Sequence, residues 1–141
     1  MNKACPVVVR RREGHLEILV FRHPIAGTQL VKGTIEPGES GRSASERELE
    51  EEAGIKLKAE HLLLEWQRHP DEPTWAIWLM EPGDHLPDHW DHYCKDDGGH
   101  LFQYFWHPLL KLPDSEWHSV FTDALAAVRQ SLTMRLAHAQ R

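Results

Sequence analysis

The sequence predicts an α/β or α+β sandwich with a mixed β-sheet. Three observations predict it. β-rich segments heavy in Val, Ile, Leu and aromatics recur along the chain, and two other segments carry helical signals. Their order is strands, helix, strands, helix, without the strict alternation of a doubly wound fold. At 141 residues, 40% hydrophobic and 27% charged, the chain has the size and composition of one globular domain spanning residues 1–141.

In chain order, CPVVVR (5–10) and LEILVFR (16–22) read as paired strands joined through Glu13-Gly14, with Arg10, Arg11 and Arg12 entering a solvated hairpin turn. TQLVKG is a third short strand ending at Gly33. A Pro37-Gly38 turn precedes a helix with Ser40 as its N-cap and Gly54 as its C-terminal stop. LLLEWQRH (62–69) and TWAIWLME (74–81) pair around an HPDEP turn, and LFQYFW (101–106) is another aromatic strand. Pro113-Asp114 opens a long helix whose Trp117, Val120, Phe121, Ala124, Leu125, Val128 and Leu132 recur at helical spacing as a core stripe. Residues 82–99, PGDHLPDHWDHYCKDDGG, read as a long polar loop.

The net charge of −6 disfavours extended nucleic acid as a partner, because releasing its counterions needs a basic face. A small phosphorylated substrate met by a few cations remains compatible. No apolar run reaches the length of a membrane helix, and the N-terminus lacks the pattern of a secretory signal. Two cysteines do not make a disulfide framework. A cytoplasmic location is therefore expected. The composition is compatible with a homodimer without requiring one.

The first helix ends in RELEEEAGI, residues 47–55. Carboxylates crowded at i,i+3 and i,i+4 repel one another, and acids near a helix C-terminus oppose its dipole. At about 100° per residue, Glu52 points about 40° to one side of Glu48 and Glu51 about 60° to the other. Leu49 and Ala53 face a core, Glu50 faces solvent, and Arg47 reaches Glu51 at i,i+4. Three convergent carboxylates are a hard oxygen donor set that suits Mg²⁺ or Mn²⁺ better than zinc. A bare acidic helix face is more often merely solvated; the wider spacing favours the metal.

Gly33 is followed by Glu39, then Arg47-Glu48-Leu49, Glu51-Glu52 and Gly54-Ile55. The stretch GTIEPGESGRSASERELEEEAGI, residues 33–55, resembles the signature of the Nudix hydrolases at every defining position. The resemblance implies an α/β/α sandwich and a divalent cation, usually Mg²⁺, held by Glu48, Glu51, Glu52 and a backbone carbonyl around Lys32-Gly33. It implies that Arg47 orients a helix glutamate and that Glu39 supports the set. The implied reaction is attack of water on a phosphorus of a nucleoside diphosphate derivative, with a carboxylate taking the proton. Glu51 or Glu48 is the expected base, and Asp96 and Asp97 are the alternatives. Lys32, Arg22 and Glu39 are the candidate substrate-binding residues.

The motif says little about substrate. KGTIEPGE is similar to members acting on polyphosphates, dinucleoside polyphosphates or nucleoside triphosphates. Pro70 falls where ADP-ribose members often carry a proline, but the HPDEP turn explains it locally. Trp66, Trp75, Trp78, Tyr104 and Trp106 can stack a base but in strands are more often core. His85, His89, His92, Cys94 and His100, interleaved with aspartates, admit a zinc set, a flap over the substrate or a plain loop. A nucleotide-sensing module without turnover and a non-hydrolytic enzyme on the same scaffold stay open as rival readings.

Overall fold

The structure is a computed structural model that describes residues 2–139, apart from the side chains of Asp97 and residues 137–139. Among the described residues, nine strands and two long helices build it: β1 Lys3–Val7, β2 Val9–Arg12, β3 His15–His23, β4 Gly27–Gln29, β5 Gly33–Thr34, α1 Gly41–Ala53, β6 Ala59–Trp66, β7 Trp75–Met80, β8 His89–Cys94, β9 His100–Pro108 and α2 Ser119–Ala139.

The strands form two sheets rather than the single sheet expected. One has the order β5-β1-β7-β6, with β1 and β7 parallel; the other has the order β2-β3-β9-β8, with β4 added on β3. The single strand expected over 5–10 is divided at Val8, where the chain passes from one sheet to the other. Alternation explains how both sheets share their interior. Val7, Ile18 and Val20 pack into a core with Trp75, Phe121, Leu125 and Val128, under α2. Their neighbours Val8, Leu19 and Phe21 pack into a second core with Leu49, Ala53, Met80 and Tyr104, under α1. Successive strand residues point to opposite faces, so apolar runs such as ILVF serve both layers at once. The expected α/β/α sandwich is present.

Several elements match expectation. Ser40 caps α1, its side chain accepting from the Ser43 N–H at 3.1 Å, and Gly54 ends it at φ 74°. Glu13 and Gly14, both at positive φ, close the β2–β3 hairpin, as a two-residue turn with the strands' own twist requires.

Other elements depart from it. Arg10 is not in a solvated turn: it is buried, donates to Glu17 and Asp88 at 2.8 Å each, and lies 4.5 Å from the Trp106 ring. The second helix starts at Ser119, not after Pro113. Asp114 Oδ1 accepts from the Glu116 N–H, and residues 116–118 pair with Thr28, so this stretch serves as a strand edge. Trp117 therefore joins the core from outside the helix. The polar loop expected over 82–99 contains β8, antiparallel to β9 in full register from His89↔Phe105 to Cys94↔His100. No helix among the described residues is long and apolar enough to cross a membrane.

Candidate active site

An open cleft of about 810 Å³ lies between α1 and the adjoining ends of β3 and β9, lined by Lys3, Lys32, Gly33, Arg47, Glu48, Glu51, Glu52 and Asp96, among others. The helix supplies three of these carboxylates because Glu48, Glu51 and Glu52 share one arc, as the wheel predicts. Leu49 and Ala53 are buried beneath them, and Glu50 is turned to solvent near Lys56.

Arg47 holds the set. Its Nε and one Nη donate to both oxygens of Glu39, at 2.8 and 2.9 Å. The other Nη donates to Glu48 at 2.8 Å and Glu51 at 3.2 Å. The remaining N–H meets the Thr34 carbonyl at 3.0 Å. All five guanidinium donors are thus committed within the protein, which leaves none for a ligand. Beside this guanidinium the Glu39 carboxyl is pulled down to about 2, and the backbone N–H of Glu36 adds to the effect.

Glu52 behaves oppositely. Burial, then its hydrogen bond to Glu48, pushes its carboxyl up to about 10. Two adjacent carboxylates out of water cannot both ionise unless a cation joins them. Glu48 lies directly over Gly33, where a Cβ would fall on its carboxylate. Glu51, half exposed on the rim, is also raised, by burial and by Glu48. Lys32 is lowered by burial and by the neighbouring Lys3 charge, and its ammonium lies 5.1 Å from the Trp75 ring.

Among the described residues, no three His, Cys, Asp or Glu side chains close on one point as a finished cage; Glu48 gives one oxygen to Arg47 and Glu51 stands at the rim. The donor chemistry still fits a hard divalent cation. It offers three carboxyl groups, Glu52 among them raised by burial and then by Glu48, beside a backbone with no Cβ in the way.

Of the remaining site candidates, Asp96 faces the cleft and the side chain of Asp97 lies outside the described residues. Glu39 is committed to Arg47. Arg22 is not brought to the cleft: it pairs with Glu116 at 3.6 Å and lies 5.2 Å over the Phe105 ring. Strand alternation is the cause, since Phe21 and His23 take the cleft side of β3. Trp75, Tyr104 and Trp106 are core residues rather than exposed stacking surfaces.

Unforeseen cleft residues include Lys3, Phe21, His23 and Phe102; Cys94 and His100, from the His/Asp-rich set, line it as well. Phe21 stacks on Phe102 at 4.4 Å, and His23 and His100 approach to 4.7 Å. Period-two reading of β3 and β9 places Phe21 with His23, and His100 with Phe102; what the sequence lacks is the register that sets the two strands side by side.

Comparison with known proteins agrees with this geometry. The NUDIX domain model matches residues 2–125. A Caenorhabditis elegans Ap4A hydrolase complex superposes with TM-score 0.64 at 21% identity, covering 97% of this chain and 98% of that one. The NUDIX domain of Shewanella oneidensis NrtR, complexed with ADP ribose, gives 0.66 at 14%, covering 96% and 88%. An ADP compounds hydrolase gives 0.60 at 23%, covering 96% and 75%. At these identities the likeness is one of fold. No curated protein matches in sequence. A cleft with the glutamate helix on one wall and a domain match across nearly the whole chain lead to one statement: the chain belongs to the NUDIX domain family.

Proposed function

We propose that this Nudix pyrophosphohydrolase cleaves the diphosphate linkage of a nucleoside diphosphate derivative, with a nucleoside triphosphate or dinucleoside polyphosphate favoured over ADP-ribose. The carrying observation is the buried Glu48–Glu52 pair on the cleft wall, with Glu48 against the Cβ-free backbone of Gly33 and Glu51 at the rim. Glu48, Glu51 and Glu52, with the carbonyl at Gly33, would hold Mg²⁺ or Mn²⁺. When bound, the cation supplies positive charge against the phosphate oxygens and makes water a better nucleophile.

The protein's own groups divide the remaining work. Lys3 and Lys32 line the cleft and set fixed positive charge against the phosphates. Arg47 keeps the glutamates in register and Glu39 keeps Arg47 in place. Glu51, half exposed on the rim, takes the proton as water attacks phosphorus and the bridging P–O bond breaks; Asp96 is the alternative base. The Phe21–Phe102 stack offers an apolar face to a base or ribose. The preference for a nucleoside triphosphate or dinucleoside polyphosphate rests on KGTIEPGE, residues 32–39, and its similarity to family members acting on such substrates.

The test is Mg²⁺-dependent turnover across nucleoside triphosphates, dinucleoside polyphosphates, ADP-ribose, NADH and nucleotide sugars. Turnover that chelator abolishes is expected, with the best compound naming the substrate class. Tight binding of ADP-ribose or another nucleotide without turnover on any compound would replace hydrolysis with a sensing role.

A further inference from the structure

Besides Cys94 and Asp96, which line the cleft, the His/Asp-rich segment contributes a strand that is fastened to the glutamate-bearing helix. α1 ends with acids at positions 50–52 and has no basic residue in its last turn. Its final carbonyls need donors from elsewhere. The Glu50 carbonyl accepts from the Gly54 N–H at 2.9 Å. The next two contacts come from β8: His92 Nε2 meets the Glu51 carbonyl at 3.1 Å, and Trp90 Nε1 donates to the Ala53 carbonyl at 2.9 Å. A carbonyl only accepts, so the His92 proton sits on Nε2.

Both side chains are held for this task. Trp90 stacks on buried Tyr104, with ring centres 5.2 Å apart and planes 10° apart. His92 occupies the space that a side chain at residue 54 would take: a Cβ on Gly54 would lie 2.6 Å from its Nδ1. Gly54 therefore does two things, turning the helix end at positive φ and admitting the imidazole ring.

We propose that Trp90 and His92 are positioning residues that clamp the last turn of α1 and so fix Glu51 and Glu52 for the cation. This rests on the metal-site reading above. Its physical basis is that ligand-bearing backbone must be held by partners one layer out, and losing such a partner typically weakens metal binding about 10–100-fold. A helix terminus without those donors frays, and here fraying would move two of the three ligating glutamates.

The test is Mn²⁺ binding to the full chain, followed by the loss of the free-ion electron paramagnetic resonance signal, with thermal unfolding recorded in parallel. The variants are His92→Ala, His92→Gln, Trp90→Phe and Glu52→Gln. Alanine at 92 should weaken binding about tenfold, and glutamine, whose amide still donates, should recover most of that loss. Phenylalanine at 90 keeps the stack but loses the N–H, and should also weaken binding. Variants that melt earlier but bind Mn²⁺ as the unsubstituted protein does would overturn the clamp while leaving the metal site standing. If the unsubstituted protein binds no Mn²⁺ that Glu52→Gln removes, the metal-site reading falls and the clamp with it.

Discussion

Arg47 is the residue on which the site's geometry most depends, because one planar fork reaches Glu39, Glu48, Glu51 and the Thr34 carbonyl together. A lysine there carries the same charge but lacks the fork. Arg47→Lys should lower kcat about 10–100-fold with a smaller change in KM, since no donor of Arg47 is left for substrate; steady-state kinetics on the best substrate check this. Gly33→Ala tests the opposite wall. Its new Cβ falls on the Glu48 carboxylate, so Mn²⁺ binding should weaken sharply while the circular dichroism spectrum stays that of the parent. At the same scale, Glu51→Gln should reduce kcat by about 10²–10⁴-fold if it takes the proton, and Asp96→Asn should then have the smaller effect. The convergence of the three glutamates was legible in helix periodicity, whereas the roles proposed for them come from the resemblance of residues 33–55. Arg22 lies on the face of β3 away from the cleft, and a basic residue near a strand's end does not announce which face it occupies.

At the scale of elements, caps and hairpin turns were readable and sheet membership was not. Ser40 and Gly54 announce the ends of α1 through chemistry local to the chain, and Ser40→Ala should cost about 1 kcal/mol in denaturant unfolding. The exchange of sheets at Val8 leaves no such mark, since either sheet accepts a run of valines. β8 was read as loop because HWDHYC alternates only weakly; its inward side carries Trp90, His92 and buried Cys94. The β9–α2 junction yields a pH prediction. His107 bonds to the Lys111 carbonyl at 2.8 Å and meets the Trp117 ring edge-on at 5.0 Å. Burial lowers its pKa, the backbone bond opposing the shift. Below the unfolded value of about 6.5 the unfolded chain binds the proton more readily, so stability is lost as pH falls through that value. Melting temperatures from pH 7.5 to 5.5 should drop, and His107→Gln should flatten part of the slope.

The whole molecule is two apolar cores sharing the same strands, one under each helix. Leu49 and Leu125 are both fully buried, in different cores, and each replaced by alanine should cost about 2–5 kcal/mol. Because Val7–Val8 and Ile18–Leu19 tie the layers, both variants should still unfold in a single cooperative transition by calorimetry. Activity should separate them: Leu49 lies under the glutamates, so its loss disturbs the cleft, whereas Leu125 is remote from it. The proposed hydrolysis depends on all three scales, since one core holds α1 and its carboxylates on the wall of the cleft. Its most direct test is turnover of a dinucleoside polyphosphate with Mg²⁺ in ¹⁸O-labelled water, comparing the parent with Glu52→Gln. Label entering a phosphate product, lost both in chelator and in a folded Glu52→Gln protein, is the predicted result. Label incorporation that survives chelator and the substitution alike would contradict it.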